Sequence, residues 1–322
     1  MSDPGEGAPH LMKIAIIGAG MAGLTAAHQL RERGLDCTVF EKSRGLGGRM
    51  ATRRVDTLQF DHGAQYFTAR GARFQSRLMQ WQAQGIAAEW RPGKWVGIPG
   101  MTGPARSLGA GVEIIRGARV TGLDGGPGHW RLVSDTAPNG AKEHGLFEAV
   151  ILAIPAPQVV PLAASAGIRF PELESVRYAP CLTLMLAFDA ATDLHEPSLS
   201  PVEGPIAWIA RDGTKPGREG PLETLVIHAT PAWSRQHVDD PTESAADALL
   251  NGLRPHIGNA EPVFRMLHRW LYARVEQTAG VPYLWDPIHQ VGACGDWAGG
   301  PRVEAAFDSG EAVATAVIES LG

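Results

Sequence analysis

The chain has 322 residues, of which 44% are hydrophobic and 20% charged, and its 29 basic and 34 acidic side chains give a formal net charge of −5. This length accommodates one large α/β core or two cores of about 150 residues each. The composition is typical of a globular protein and argues against wholesale disorder, collagen and coiled coil. The charge balance argues against a nucleic-acid partner, because nucleic-acid-binding surfaces are strongly basic.

The cysteines and the first residues predict the compartment. Cys37, Cys181 and Cys294 are odd in number, widely spaced and outside any CxxC pair, which argues against a disulfide framework and a structural zinc site. Residues 1–12 lack the cationic and apolar segments of a secretory signal and predict a disordered tail. No stretch approaches the roughly 18 consecutive apolar residues of a membrane span. We therefore expect a cytoplasmic protein with no membrane partner and no metal.

The predicted elements begin with a strand, a helix and a second strand. Lys13–Ile17 is a compact apolar run that ends at a glycine, residues 24–33 have helix-forming composition, and Asp36–Glu41 is a short strand. This span has the length of one βαβ unit. Further along we predict a helix at 74–84, strands of a small meander at 112–123 and 130–134, a buried strand at 148–154, strands at 181–188, 222–228 and 263–274, a helix at 239–253, a strand at 290–295 and a helix at Val303–Leu321.

A glycine motif joins the first strand to the first helix. Residues 18–23 read GAGMAG, which is GxGxxG. In this context the glycines permit a tight turn, close approach of backbone N–H groups to a pyrophosphate, and close packing of helix on strand. Glu41 ends the second strand, where its carboxylate would accept hydrogen bonds from ribose hydroxyls. The pattern predicts a dinucleotide-binding site.

The residues after Glu41 indicate which dinucleotide is bound. Residues 41–49 read EKSRGLGGR, with a second glycine pair and Arg49 directly after the acid. An NAD-dependent dehydrogenase has no general need for this segment, whereas extended FAD needs a second wall of close backbone and a forked cation. We therefore predict FAD, bound non-covalently because no histidine or cysteine lies in a recognisable flavinylation motif.

These motifs resemble the FAD-dependent amine oxidase and carotenoid desaturase superfamily, whose closing motif is matched by residues 292–296 (GACGD). The resemblance implies that Asp296 binds the ribityl chain and that the helix from Val303 directs its N-terminus at the flavin. The expected fold is α/β, with an FAD-binding doubly wound, Rossmann-like domain and an inserted, mostly antiparallel α+β substrate domain. We expect the FAD-binding domain at 13–63, 103–160 and 287–322, and the substrate domain at 64–102 and 161–286.

Within this superfamily the chain is similar to the bacterial renalase family over nearly its whole length after the tail. The matching segments are rich in rare aromatics: residues 61–70 (DHGAQYFTAR), 81–85 (WQAQG), 95–97 (WVG), 99–101 (PGM), 215–218 (KPGR), 228–230 (HAT), 233–236 (WSRQ), 268–274 (HRWLYAR), 294–297 (CGDW) and 302–304 (RVE). The resemblance implies an oxidase that returns misreduced 1,2- and 1,6-dihydro isomers of NAD or NADP to NAD(P)+. Hydride passes to flavin N5, and O2 reoxidises the flavin to give hydrogen peroxide. One departure is the loop 91–94 (RPGK), which is shorter than in the bacterial family and puts the rim of the pocket in question.

Two sets of site residues follow. FAD contacts are predicted for Gly18, Ala19, Gly20, Met21, Ala22, Gly23, Glu41, Lys42, Gly48, Arg49, His62, Gly63, Val120, Asp296 and Val303. Substrate contacts are predicted for Ala64, Gln65, Tyr66, Phe67, Thr68, Trp95, Val96, Gly97 and Arg302. His62, His228 and His268 are substrate-contact candidates or hydrogen-bonded structural residues. No catalytic acid or base is assigned, because hydride removal gives the aromatic pyridinium directly and mainly requires the donor carbon about 3 to 3.5 Å from flavin N5.

Two other functions are compatible with the sequence. An oxidase of ordinary amines on the same fold would need an apolar slot flanked by aromatic side chains, for which Trp297 or Trp95 could serve. A flavin-binding module without turnover would act as a redox-sensing partner, although Asp296 and the aromatic segments favour an enzyme.

Overall fold

A computed structural model describes residues 13–136, 140, 142–201 and 203–321, and the tail predicted at 1–12 lies outside them. The described strands are β1 (Lys13–Ile17), β2 (Asp36–Glu41), β3 (Arg53–Val55), β4 (Leu58–Phe60), β5 (Ala87–Arg91), β6 (Lys94–Gly97), β7 (Glu113–Arg116), β8 (Arg119–Asp124), β9 (Trp130–Thr136), β10 (Glu143–Phe147), β11 (Ala149–Leu152), β12 (Arg177–Phe188), β13 (Ser198–Leu199), β14 (Ile206–Arg211), β15 (Glu223–Ala229), β16 (Phe264–Gln277), β17 (Leu284–Asp286) and β18 (Val291–Ala293). The described α-helices are α1 (Met21–Glu32), α2 (Ala72–Ala83), α3 (Gly103–Leu108), α4 (Ala156–Ala164), α5 (Pro231–His237), α6 (Thr242–Ile257), α7 (Asp296–Gly299) and α8 (Val303–Leu321).

The predicted βαβ unit is confirmed, and it lies at the centre of a six-stranded sheet. The strand order is β17-β18-β11-β1-β2-β7, and only the pairing of β17 with β18 is antiparallel. Side chains alternate along β1, so that Ile14 and Ile16 pack with α1 and α8 while Ala15 and Ile17 pack with β9 and α4. Because both faces are covered, the sheet is doubly wound.

The meander differs from its prediction at one strand. Residues 112–123 form two strands rather than one, with Gly117 at a φ of +72° between them. β7 joins the six-stranded sheet beside β2, while β8 pairs with β9, and β9 with β10. The parallel pairing of β2 with β7 links segments far apart in the chain and has no local sequence signal. The prediction of extended structure at 112–123 was therefore right, but its continuity and the sheet assignment of β7 were wrong.

The second large sheet is antiparallel, in the order β13-β14-β15-β12-β16. One face packs on α6, where Leu249 and Leu253 belong to the same buried cluster as Leu184 and Ile227. Because successive side chains point to opposite faces, the alternate residues of these strands turn away from α6. Met185, Ala187 and Val226 on this second face pack with Phe60 of β4. The predicted fold class, a doubly wound domain with an additional antiparallel sheet, is confirmed. In the described part of the chain no helix has the length and apolar character to cross a membrane.

Candidate functional site

A cavity of about 1990 Å³ lies at the carboxyl ends of β1, β2, β11 and β18. Gly18, Glu41, Ala153 and Asp296 stand at or just after these four strand ends, and all of them line the cavity. The antiparallel sheet closes its other side through residues of β12, β14, β15 and β16. Ligands of open α/β sheets bind at this edge, so the cavity is the candidate site.

The glycines of GxGxxG shape the turn between β1 and α1. Gly18 has a φ of +107°, and a Cβ on Gly23 would lie 2.0 Å from the carbonyl oxygen of Gly18, so neither position accepts a side chain without strain. A Cβ on Gly20 would meet nothing within 4 Å. Since α1 has no side-chain cap, its first N–H groups and the open space at Gly20 form a cradle for a phosphate group.

The second glycine loop closes against the first. The N–H of Gly47 donates to the carbonyl oxygen of Ala19 at 2.8 Å. A Cβ on Gly63 would lie 2.0 Å from the carbonyl oxygen of Arg49, so the backbones of residues 49 and 63 are in direct contact. The Arg49 guanidinium donates to both carboxylate oxygens of Asp296 at 2.7 Å each. The fold thus brings three distant predicted contact segments together.

The carboxylate of Glu41 holds the two loops at the end of β2. It is 7% exposed and accepts the N–H groups of Ala19 at 2.9 Å and Ser43 at 2.7 Å. A carboxylate has about four acceptor positions, so both oxygens can still accept hydroxyl donors. The environment of Glu41 therefore suits the ribose role predicted for it.

Most of the predicted cofactor contacts line the cavity: Gly18, Gly20, Met21, Ala22, Glu41, Lys42, Gly48, Arg49, His62, Gly63, Val120, Asp296 and Val303. Ala19 and Gly23 do not line it, which corrects these two contacts. Ala19 is fully buried, and Gly23 packs against Gly18 and Ala153. Both residues therefore shape the turn from the side that faces away from the cavity.

The antiparallel sheet places a row of side chains at the other end of the cavity. Trp208 pairs with His228, His228 with Thr183, and Thr183 with His268, so these four side chains lie side by side on one face. Trp208, His228 and His268 line the cavity. Cross-strand register, rather than spacing in the sequence, creates this row.

His62 joins the row from the loop after β4. Its ring centroid lies 4.8 Å from that of His268 and 5.0 Å from that of Trp270. The indole N–H of Trp270 donates to the carbonyl oxygen of His62 at 3.0 Å. The three histidines singled out in the sequence therefore meet at one end of the cavity.

Their surroundings keep these histidines neutral. Burial, followed by His268 and Arg53, lowers the pKa of His62 to about 3. Burial and then Lys215 lower the pKa of His228 to about 4, and burial and then Arg53 lower that of His268 to about 4. Near neutral pH this part of the wall carries no imidazolium.

An aromatic pair lines the same end. The rings of Tyr66 and Trp208 lie 5.8 Å apart, and Lys94 Nζ lies 4.6 Å from the Tyr66 centroid and 5.2 Å from that of Trp208. Lys94 follows the short turn between β5 and β6, in the loop where the chain departs from the renalase pattern. This loop therefore places a cation on the aromatic pair.

Six of the predicted substrate contacts line the cavity: Ala64, Gln65, Tyr66, Phe67, Thr68 and Arg302. Trp95, Val96 and Gly97 do not, which corrects their placement. The backbone of Trp95 pairs with that of Phe67 through two hydrogen bonds of 2.8 Å, so β6 lies behind Phe67. Val96 is fully buried, and the carbonyl oxygen of Gly97 accepts from Arg218.

Three residues in or behind this wall were not predicted as site residues from the sequence. Trp208 lies on β14, which was not predicted as a strand. Asp212 and Lys215 are buried behind Gln65, and residue 215 had entered only through the resemblance of its segment. Among the described residues, no group of three or more His, Cys, Asp or Glu side chains is arranged to hold a metal ion.

The cavity fits a flavin dinucleotide. The cradle at Gly20 and the first turn of α1 suit a pyrophosphate, Glu41 suits an adenosine ribose, and the paired side chains of Arg49 and Asp296 line the same cavity. The fold and site define the class of FAD-binding oxidoreductases.

Comparison with known proteins identifies the family. Residues 80–318 match the family described as flavin containing amine oxidoreductase, and residues 16–80 match an NAD(P)-binding Rossmann-like domain. The chain belongs to the flavin-containing amine oxidoreductase family, and its cofactor is FAD.

Individual relatives share a segment or the fold with this chain. A segment of 52 residues is 48% identical to 4,4'-diapophytoene desaturase of Staphylococcus aureus (strain Newman), and the match covers 16% of this chain and 10% of the desaturase. A protein assigned as protoporphyrinogen oxidase from Exiguobacterium sp. 255-15 has the same fold, with a TM-score of 0.75 at 15% identity over 96% of this chain and 99% of that one. Cyclohexylamine oxidase from Brevibacterium oxydans gives a TM-score of 0.70 at 13% identity over 96% and 99% of the two chains. At these identities the solved structures show the fold alone.

Proposed function

We propose that this protein is an oxidase that returns misreduced 1,2- and 1,6-dihydro isomers of NAD(P) to NAD(P)+ and produces hydrogen peroxide from O2. When bound, non-covalent FAD would accept the hydride and pass the electrons to O2. The chain itself would bind the substrate, orient its ring and exclude competing molecules. The proposal rests on the resemblance to renalases and on the charge of the cavity.

The observation that carries the proposal is the excess of cations on the cavity wall. The lining cations are Lys42, Arg44, Arg49, Arg53, Arg54, Arg70, Arg119, Arg269, Arg274 and Arg302, and the lining carboxylates are Glu41 and Asp296. The whole chain has a net charge of −5, so this excess is local. Such a wall raises the local concentration of an anionic ligand. The two phosphates of FAD neutralise part of the excess, and a dinucleotide substrate supplies two more.

Most arginines on the cavity wall are available to a ligand. Within the described residues, seven of the nine form no ion pair with a carboxylate, among them Arg53, Arg70 and Arg302, whereas Arg49 is held by Asp296 and Arg119 by Asp135. Arg70 and Arg302 are exposed, and Arg53 lies close enough to His62 and His268 to lower their pKa values. We assign phosphate or carboxamide contacts to these side chains.

The neutral histidines also support this reaction. Hydride loss from a dihydropyridine yields the aromatic ring directly, so no proton has to be abstracted. His62, His228 and His268 have lowered pKa values and would contribute packing and fixed hydrogen bonds rather than acid or base catalysis.

The domain division follows the same proposal. Residues 13–63, 103–160 and 287–322 would bind FAD, and residues 64–102 and 161–286 would form the substrate side. Ala64, Gln65, Tyr66, Phe67, Thr68 and Arg302 would contact the dihydronicotinamide dinucleotide.

A second candidate is an oxidase of amines, which the family and the aromatic pair of Tyr66 and Trp208 favour. Neither aromatic proposed earlier for this role lines the cavity, since Trp297 is fully buried and Trp95 lies behind Phe67. Lys94 already occupies the aromatic pair, and a protonated amine would meet like charge from the arginines. The cavity therefore suits an anion better than an ammonium ion.

Turnover in air separates the two candidates. The holoenzyme is supplied with each dihydro isomer of NAD and NADP, or with putrescine or cyclohexylamine, and hydrogen peroxide and NAD(P)+ are measured. We expect one peroxide and one NAD(P)+ for each 1,2- or 1,6-dihydro molecule consumed. Peroxide formed from the amines but not from the dihydro isomers would establish the amine oxidase instead.

A further inference from the structure

The histidine end of the cavity is backed by a buried group of charged side chains. Lys215 Nζ donates to Asp212 at 2.5 Å and lies 3.6 Å from Asp61, which also accepts from Arg218. These side chains are at most 1% exposed, and none of them lines the cavity. Burial raises the pKa of Asp212. Burial would also raise that of Asp61, but Lys215 and Arg218 outweigh it and hold the pKa below its ordinary value.

One side chain connects this group with the cavity. Lys215 Nζ donates to the side-chain oxygen of Gln65 at 3.1 Å, and Gln65 lines the cavity. An ammonium has only donors, so the amide oxygen of Gln65 must face it. The amide nitrogen consequently faces the carbonyl oxygens of Asp61 and Gly63, the latter at 3.1 Å, and these can only accept. Both sides of the amide specify the same orientation.

The orientation of Gln65 determines the state of its other neighbour. The amide nitrogen of Gln65 lies 3.3 Å from Nε2 of His228, which lines the cavity. A protonated Nε2 would set two donors against each other, so this contact favours a lone pair on Nε2 and the ring proton on Nδ1. Burial and then the nearby charge of Lys215 lower the pKa of His228 to about 4, and they outweigh a hydrogen bond with the backbone of His62 that raises it.

We propose that Lys215 is a positioning residue that acts through Gln65 to hold His228 as a neutral ring with its proton on Nδ1. The cavity wall then presents one charge state and one hydrogen-bond polarity at this position. This hydrogen-bond arrangement does not depend on the proposed function, which adds only the identity of the substrate that contacts this part of the wall.

Histidine nitrogen spectra of the holoenzyme test the arrangement without turnover. Protein with 15N-labelled histidine is observed by long-range 1H–15N correlation, with His228 assigned by loss of its signals in His228→Gln. We expect the neutral Nδ1–H form near neutral pH. In Gln65→Glu both side-chain oxygens are acceptors, so Nε2 of His228 should become protonated and its pKa should rise. Gln158→Glu makes the same change elsewhere on the cavity wall and should leave the His228 signals in place.

Variants of Lys215 test the first link. Lys215→Met removes the donor that fixes the Gln65 oxygen, so the His228 signals should show a mixture of tautomers and a raised pKa, whereas Lys215→Arg should retain the wild-type pattern. If Lys215→Met does not fold, the double variant Asp212→Asn with Lys215→Met removes both members of the contact and should give the same signals. A wild-type His228 protonated on Nε2, or signals unchanged in both Gln65→Glu and the Lys215 variants, would overturn the inference. Neither result depends on which substrate the enzyme oxidises.

Discussion

At the residue scale, the site depends on pairs of side chains whose members lie far apart in the chain. Arg49 and Asp296 form a bidentate ion pair at 2.7 Å, and Glu41 bridges the two glycine loops. Glu41 and Arg49 were predicted as FAD contacts from their local sequence, and Asp296 from the resemblance of residues 292–296 to the closing motif of the superfamily. Their direct contact was not predicted, because nothing local to residue 49 specifies its distance from residue 296.

Arg49→Ala should weaken FAD binding. The change removes two charge-assisted hydrogen bonds to Asp296 and a cation from the cavity, a loss on the order of 1.5 to 3 kcal/mol or about tenfold to a hundredfold in affinity. Flavin fluorescence during titration of the apoprotein measures the dissociation constant. Arg33→Ala removes a cation from an exposed site at the end of α1 and serves as the control. Equal affinities in the two variants would contradict the placement of FAD.

The three histidines predict how stability varies with pH. In the unfolded chain each binds a proton near pH 6.5, whereas in the folded protein His62 does so near 3 and His228 and His268 near 4. The unfolded state therefore holds more protons as the pH falls below about 6.5, and the free energy of unfolding decreases by up to about 1.4 kcal/mol per pH unit for each histidine.

Urea denaturation from about pH 8 to about pH 4.5 measures this slope, and His228→Gln should reduce it by about one histidine's share. The difference between the two proteins at about pH 8, where His228 is neutral in both the folded and the unfolded state, gives the pH-independent effect of the substitution. Parallel curves over the whole range would show that His228 titrates alike in both states.

At the element scale, two glycines in the turn from β1 into α1 allow the requirements of folding and of cofactor binding to be tested separately. Gly23 has no room for a Cβ, whereas a Cβ on Gly20 enters the open cradle. Gly20→Ala should therefore leave the apoprotein about as stable as the wild type, or up to about 1 kcal/mol more stable, because the φ of −82° suits alanine. It should nevertheless weaken FAD binding by obstructing the phosphate.

Gly23→Ala is the matched comparison, and it should impair folding itself. Thermal unfolding of the apoproteins and FAD titration measure the two effects separately. An unimpaired FAD affinity in Gly20→Ala would show that the cradle does not receive the phosphate.

The same elements show how much the sequence can predict. β1, β2 and α8 have the predicted bounds, because short apolar runs and a long alanine-rich helix are local signals. The row of Trp208, His228 and His268 arises because β14 pairs with β15, β15 with β12, and β12 with β16, and no local pattern encodes these pairings. Residues 95–97 were misplaced for the related reason that the pairing of Trp95 with Phe67 hides them behind the wall.

At the scale of the whole molecule, an acidic chain encloses a cationic cavity. Added salt should therefore slow the capture of an anionic substrate, because at 0.1 M ionic strength electrostatic attraction is largely screened beyond about 10 Å. The second-order rate constant for reduction of the holoenzyme by a misreduced dihydronicotinamide dinucleotide should fall as salt is added. A dihydronicotinamide that carries only a methyl group on its ring nitrogen has no phosphates and should show little dependence. Equal salt dependence for both would contradict an electrostatic role for the arginines.

Anaerobic mixing of the holoenzyme with pure dihydronicotinamide isomers, followed by flavin absorbance, tests the central claim most directly. The isomers share the same adenosine and phosphates, so the cationic wall cannot distinguish them and only the ring carbon offered to the flavin differs. A displacement of about 1 Å at the reacting atoms can change the rate roughly a hundredfold. We predict that the 1,2- or 1,6-dihydro isomer bleaches the flavin rapidly and that the ordinary 1,4 isomer does so at least about a hundredfold more slowly. Equal rates for all isomers, or faster bleaching by a simple amine, would contradict the proposed function.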